Sequence, residues 1–166
     1  MGENCYMFAV SMAFSQIKAG KYFLFEHPAS ASSWKDPWME RLARAPGVIK
    51  VTADQCMYGL TATAPGGEVN PARKPTTFLT NSFSMAQQLS ARCDGSHSHT
   101  PLHGKQLEAA AFYPVKLRLA ILRGMRDTAD MEWIKSQDAD DQQLKSATSL
   151  AGSLHSMPIF HLAATM

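Results

Sequence analysis

The chain has 166 residues, 45% of them hydrophobic, with a net charge of +2 and a mean hydropathy of −0.19. That is enough chain for a real core, and it contains no apolar run of bilayer-spanning length. The charge is divided unevenly: fourteen basic against eight acidic side chains up to Arg126, net +6, then two against six, net −4. A basic body followed by an acidic, Ser/Ala/Gln-rich stretch divides the chain into 1–126 and 127–166, the second part a helical extension with an acidic, loosely ordered tail. The basic body is compatible with a nucleic-acid partner.

Glu3 to Lys18 has helical spacing, with Cys5, Phe8, Ala9, Met12, Ala13 and Ile17 on one face and Ala19-Gly20 closing it. Tyr22 to Phe25 is an unbroken apolar run, expected to form a central strand covered on both faces. Glu26 and His27 then bring a carboxylate and an imidazole to the end of that strand, where catalytic groups collect in open α/β sheets. Asp36-Pro37 supplies an N-cap and a first-turn proline for a helix through Trp38, Met39, Leu42 and Ala43.

Val48 to Asp54 and Thr77 to Thr80 are expected as further strands of the same sheet, paired across the intervening Thr/Ala/Pro/Gly-rich loop. A helix over Met85 to Arg92, capped by Ser82 or Ser84, comes next. Pro114 opens another through Met125, with Val115, Leu119 and Leu122 on one face. Gln137 to Ser156 shows no helical period, and Met157 to Leu162 is a short apolar patch able to dock on the body. Trp34, Trp38 and Trp133 are expected as core or interface anchors.

Cys5, Cys56 and Cys93 are odd in number and scattered, which favours a reducing, intracellular setting over a disulfide framework. The N-terminus carries Glu3 and Asn4 where a secretion signal would be basic. Cys5, within the helical pattern, is expected as a core cysteine. Cys93, His97, His99 and His103 bring thiolate and imidazole, zinc's preferred ligands, into eleven residues. On an extended segment His97 and His99 would point apart. The competing expectation is a polar loop whose histidines hydrogen-bond locally.

Taken in order, Phe25-Glu26-His27-Pro28, Tyr58-Gly59, Arg73-Lys74-Pro75-Thr76-Thr77-Phe78-Leu79-Thr80-Asn81, Cys93-Asp94-Gly95-Ser96-His97-Ser98-His99 and Tyr113-Pro114 resemble the C-terminal half of a cytosine-C5 DNA methyltransferase-like domain of the phage and retroelement-polyprotein type. The resemblance covers about Met1 to Met125. It implies an incomplete Rossmann-like (class I methyltransferase-like) α/β sheet with flanking helices. Glu26 would contact the flipped base, with His27, Arg73, Lys74 and Thr76 along the nucleic acid.

The family's Gly-rich cofactor turn and Pro-Cys nucleophile do not occur here. S-adenosylmethionine therefore belongs to a complete relative containing the missing N-terminal half of the domain. This chain alone is expected to bind no such cofactor and to transfer no methyl group. A small nucleic-acid-binding module, with or without zinc, and an inactive structural remnant are the alternatives.

Overall fold

The computed structural model describes residues 3–104, 106–107 and 110–155. Two compact units divide the chain, Met1–Thr128 and Ala129–Met166. The first is a mixed α/β unit built on one three-stranded and one two-stranded sheet, both antiparallel.

Helix α1 (Glu3–Lys18) leads to strand β1 (Leu24–Pro28), and α2 (Pro37–Ala43) leads to β2 (Ile49–Asp54). A 3-10 turn, Gln55–Tyr58, ends at Gly59, whose φ of 85° lets the chain reverse. The short hairpin β3 (Thr61–Thr63) and β4 (Val69–Pro71) follows, then β5 (Pro75–Thr80) and α3 (Phe83–Gln88). The last element, α4, runs from Val115 to His155. Asp36 caps α2 by accepting from the Trp38 N–H, and Ser82 caps α3 by accepting from Met85.

The three expected strands share one sheet, but their order is β1-β5-β2. The strand expected at the centre, Tyr22 to Phe25, instead begins its pairing at Leu24 and lies on an edge. Phe78 of β5 is paired with Glu26 on one side and Val51 on the other. Central burial falls to Thr76, Thr77, Phe78, Leu79 and Thr80, all buried. Hydropathy undervalues those threonines, yet β-branched residues suit a sheet interior once their hydroxyls are paired. Here Gln55 donates to Thr76 at 2.9 Å, Thr80 donates to the Phe23 carbonyl at 2.6 Å, and the Thr52 and Thr77 hydroxyls lie 2.9 Å apart.

Helices cover both faces of the sheet. Val10, Ala13, Phe23, Met39, Leu42 and Leu79 form the core under α1 and α2. Phe78 and Ala53 pack on the other face with Leu89 and with Leu117 and Ala120 of α4. Two helical faces differ from the sequence expectation. On α1, Val10 and Ala13 turn inward while Phe8 and Met12 are exposed; the side chain of Cys5 is outside the described residues. On α4, Leu117, Ala120, Gly124 and Thr128 are buried while Val115, Leu119 and Leu122 face outward. In each case a second apolar stripe competes with the true one, so spacing alone cannot choose between them.

Gly124 allows a close approach to α3, since a Cβ there would sit 2.8 Å from the Met85 Cα. Nearby, the hydroxyls of Ser82 and Thr128 are 2.5 Å apart.

The alternation of ladder bonds puts the backbone groups of Phe25 and His27 against β5 and turns those of Leu24 and Glu26 away from it. Pro28 at the end of β1 has no N–H, and its carbonyl accepts from Trp34 Nε1 at 2.8 Å. Trp34 is thus a half-buried anchor, whereas Trp38 and Trp133 are largely exposed.

In the second unit, α4 continues beyond the expected helical extension to His155, through the stretch from Gln137 where no helical period was expected. Every residue from Ala129 to Gln143 is exposed. This helix is therefore carried by Ala, Gln, Leu, Lys and Glu, good formers regardless of period, with a Lys135–Glu132 pair at 2.9 Å. The apolar patch Met157 to Leu162 lies outside the described residues. No described helix is long and apolar enough to cross a membrane.

Candidate metal centre

Asp54, at the end of β2, organises the part of the first unit richest in chemistry. Its side chain is fully buried. Oδ2 accepts the Cys93 N–H at 3.0 Å and Arg92 Nε at 2.9 Å, while Oδ1 accepts Arg73 Nε at 3.2 Å. The Asp54 N–H in turn donates to the Ala91 carbonyl at 3.0 Å. Burial works to raise the carboxyl's pKa, but the Cys93 N–H and the two guanidiniums outweigh it and hold the group below the ordinary carboxylate range. One carboxylate thus ties the end of β2 to the segment after α3.

That tie brings Cys56, on the 3-10 turn two residues past Asp54, against Cys93. Burial pushes the Cys56 thiol up to about 11, with the Cys93 sulfur and the Asp54 carboxylate adding to the shift and the Met57 N–H opposing it. After Cys93 the chain turns sharply. The Gly95 N–H reaches back to Cys93 Sγ at 3.4 Å, the Ser96 N–H donates to Asp94 Oδ1 at 2.9 Å, and Gly95 has a φ of 79°. Just beyond His99, the Thr100 N–H donates to the Pro71 carbonyl at 3.0 Å, fixing the loop's exit on the small sheet.

Because the segment is turned and not extended, His97 and His99 point together, their ring centroids 4.7 Å apart. The sequence expectation that they diverge is thereby corrected. Cys93 Sγ lies 3.6 Å from His97 Nε2 and 3.5 Å from His99 Nε2. Cys56, Cys93, His97 and His99 each present one donor atom, all within 4.8 Å of one another. A tetrahedron with Zn–S near 2.3 Å and Zn–N near 2.05 Å has S···N edges of about 3.6 Å. The spacing and the S₂N₂ donor set therefore fit a metal ion of zinc's size and softness.

The expected ligand set is revised in membership: Cys93, His97 and His99 come together, Cys56 joins them, and His103 stands apart, exposed, its N–H 3.5 Å from Gln106 Oε1. Sequence reasoning missed Cys56 because it is thirty-seven residues from Cys93 and has no ligand-like spacing to it. Asp54, an acid at the end of an apolar strand, was the available signal. A buried carboxylate needs partners, and Arg92-Cys93 supplies them.

The remaining expected site residues are scattered around the sheet. Glu26 is exposed on β1, and Tyr113 approaches it; burial first, then that carboxylate, holds the Tyr113 phenol above its ordinary range. His27 sits on the opposite face of β1, its ring 6.0 Å from that of Trp34. Lys74 Nζ donates to the Ala110 carbonyl at 2.7 Å, and Thr76 is buried. Only Arg73 borders the Cys56/Cys93/His97/His99 cluster, through Asp54. Compared with protein-family models, curated proteins and solved structures, the chain matches none.

Proposed function

We propose that this chain is a zinc-stabilised α/β module that binds nucleic acid through its basic body and performs no chemistry of its own. The observation that carries the reading is the convergence of four soft and borderline donors, two sulfurs and two imidazole nitrogens, within 4.8 Å. Four protein ligands close a tetrahedral zinc ion and leave no position for substrate water, which is the pattern of structural sites. Bound zinc would pin the 93–99 loop to the turn after β2. The excess of basic side chains up to Arg126 supports a polyanionic partner.

The test combines metal analysis of protein purified without a histidine tag with oligonucleotide binding. One zinc per chain, and binding lost on chelation, is the expected result. Zinc-free folded protein would leave the polar-loop reading of His97 and His99 in its place.

A second reading retains the methyltransferase resemblance. Glu26, exposed near the C-terminal end of β1 beside the Tyr113 phenol, favours it. In that reading S-adenosylmethionine and the nucleophile are supplied by residues outside this sequence, and the antiparallel order β1-β5-β2 departs from the mostly parallel sheet of a Rossmann-like fold. Radiolabelled methyl transfer to mixed-sequence DNA distinguishes the two, and none is expected from this chain alone. The nucleophile and the in-line donor that such a reaction requires have no counterpart in its motifs.

A further inference from the structure

Asp54 is bonded by two arginines, and one would neutralise it. Arg73 and Arg92 both approach through Nε, at 3.2 and 2.9 Å, and their side chains stay 47% and 53% exposed although Asp54 is fully buried. A guanidinium carries five N–H donors in a rigid fork. The bond to Asp54 uses one from each, and the Nη groups are the donors that match phosphate oxygens two at a time. The pair therefore leaves a surplus positive charge, with both forks anchored on the same carboxylate and so held side by side. Arg92 is also the residue immediately before Cys93, so the metal loop and the pair are positioned by the same buried group.

We propose that Arg73 and Arg92 form a clamp for backbone phosphate oxygens of a nucleic acid, pre-oriented by Asp54 at the edge of the Cys56/Cys93/His97/His99 centre. This rests on the nucleic-acid-binding reading above and assigns its contact point. Such a clamp holds the strand without reading its sequence. Asp54 is a positioning residue in it, fixing both forks in advance and so lowering the cost of ordering two long side chains.

The experiment is fluorescence anisotropy of a labelled single-stranded oligothymidylate with the zinc-loaded full chain across a salt series. Arg73→Gln and Arg92→Gln each keep an N–H donor for Asp54 and remove one charge. Each is expected to lower the slope of log K against log salt by about 0.7. Arg44→Gln, at the C-cap of α2 where Arg44 pairs with Glu40, removes the same charge and is expected to leave the slope unchanged. Phenylglyoxal modification of the unmutated protein is an independent measurement that needs no variant to fold. Oligothymidylate is expected to protect Arg73 and Arg92 and to leave Arg44 reactive. Binding with slopes equal to the unmutated protein's, together with unprotected Arg73 and Arg92, overturns the clamp and leaves the binding reading standing. No binding of the oligonucleotide at low salt overturns both.

Discussion

Replacing Cys56 by serine removes the one ligand contributed by the β2 end of the structure and leaves three donors on a single loop. A ligand that binds only the folded state stabilises it by about 4 kcal/mol when present at a thousand times its dissociation constant. The first unit, Met1–Thr128, has an unfolding entropy of about 0.27 kcal/mol/K at the usual ~2.1 cal/mol/K per residue, so that loss corresponds to about 15 °C in melting midpoint. The assay is calorimetry on zinc-loaded protein, with and without a chelator, for the unmutated chain, Cys56→Ser and His103→Gln. The chelator is expected to lower the midpoint of the unmutated chain and of His103→Gln alike, and to do little to Cys56→Ser, which has already lost the ion. A Cys56→Ser variant that retains stoichiometric zinc and a full chelator response would refute the four-ligand geometry.

The other predictions concern the sheet and its helices. Phe78→Ala, at the fully buried centre of β5, should cost about 3–5 kcal/mol in denaturant unfolding; Phe25→Ala, on the half-buried edge, should cost measurably less, and the reverse order would contradict the strand order. Gly124→Ala places a methyl 2.8 Å from the Met85 Cα, so the overpacking cost of about 1–3 kcal/mol should exceed the helix-propensity gain of about 1. A more stable variant would show that α4 does not lie that close to α3. The Tyr113 phenol has its pKa raised in the folded state, so its contribution to stability is complete below the unfolded value of about 10 and declines as pH rises beyond it. Tyr113→Phe should flatten that alkaline decline in urea midpoints measured across the range, and an unchanged slope would count against the burial and the Glu26 contact.

Much of the first unit could be read from the sequence because local chemistry and tertiary structure agree there. Asp36-Pro37 and Ser82 both start helices as their side chains dictate, and the three strands of the larger sheet were visible as β-rich runs, while the β3–β4 hairpin lies in the stretch expected as a loop. What stayed hidden was relational. The edge position of β1 depends on β5 being the more completely buried strand, and the threonines of β5 look polar until their hydroxyl partners are known. The candidate metal centre was half visible, since Cys93, His97 and His99 are neighbours in sequence. Cys56 joins them only through a hydrogen-bonded link between Asp54 and the segment after α3, which no spacing rule contains. Of the residues that the methyltransferase resemblance would set against the base or the nucleic acid, Arg73 alone borders that cluster. The helix beyond Ser136 escaped notice because propensity, and not an apolar stripe, supports it.

The edge position of β1 bears on self-association. An open strand edge is a template on which other chains can add and aggregate. Here Pro28 has no donor to offer and Trp34 occupies its carbonyl, so the far end of the ladder is closed to an incoming strand. Only Leu24 and Glu26 retain outward-facing groups, and the exposed carboxylate of Glu26 sets a charge on that short stretch. An edge this brief and this charged resists the addition of a strand at β1, one of the two edges in the order β1-β5-β2. Trp34→Ala would take one of two donors from the Pro28 carbonyl, the Ala31 N–H at 3.0 Å being the other, and the solubility of the folded protein is where that change would first be felt.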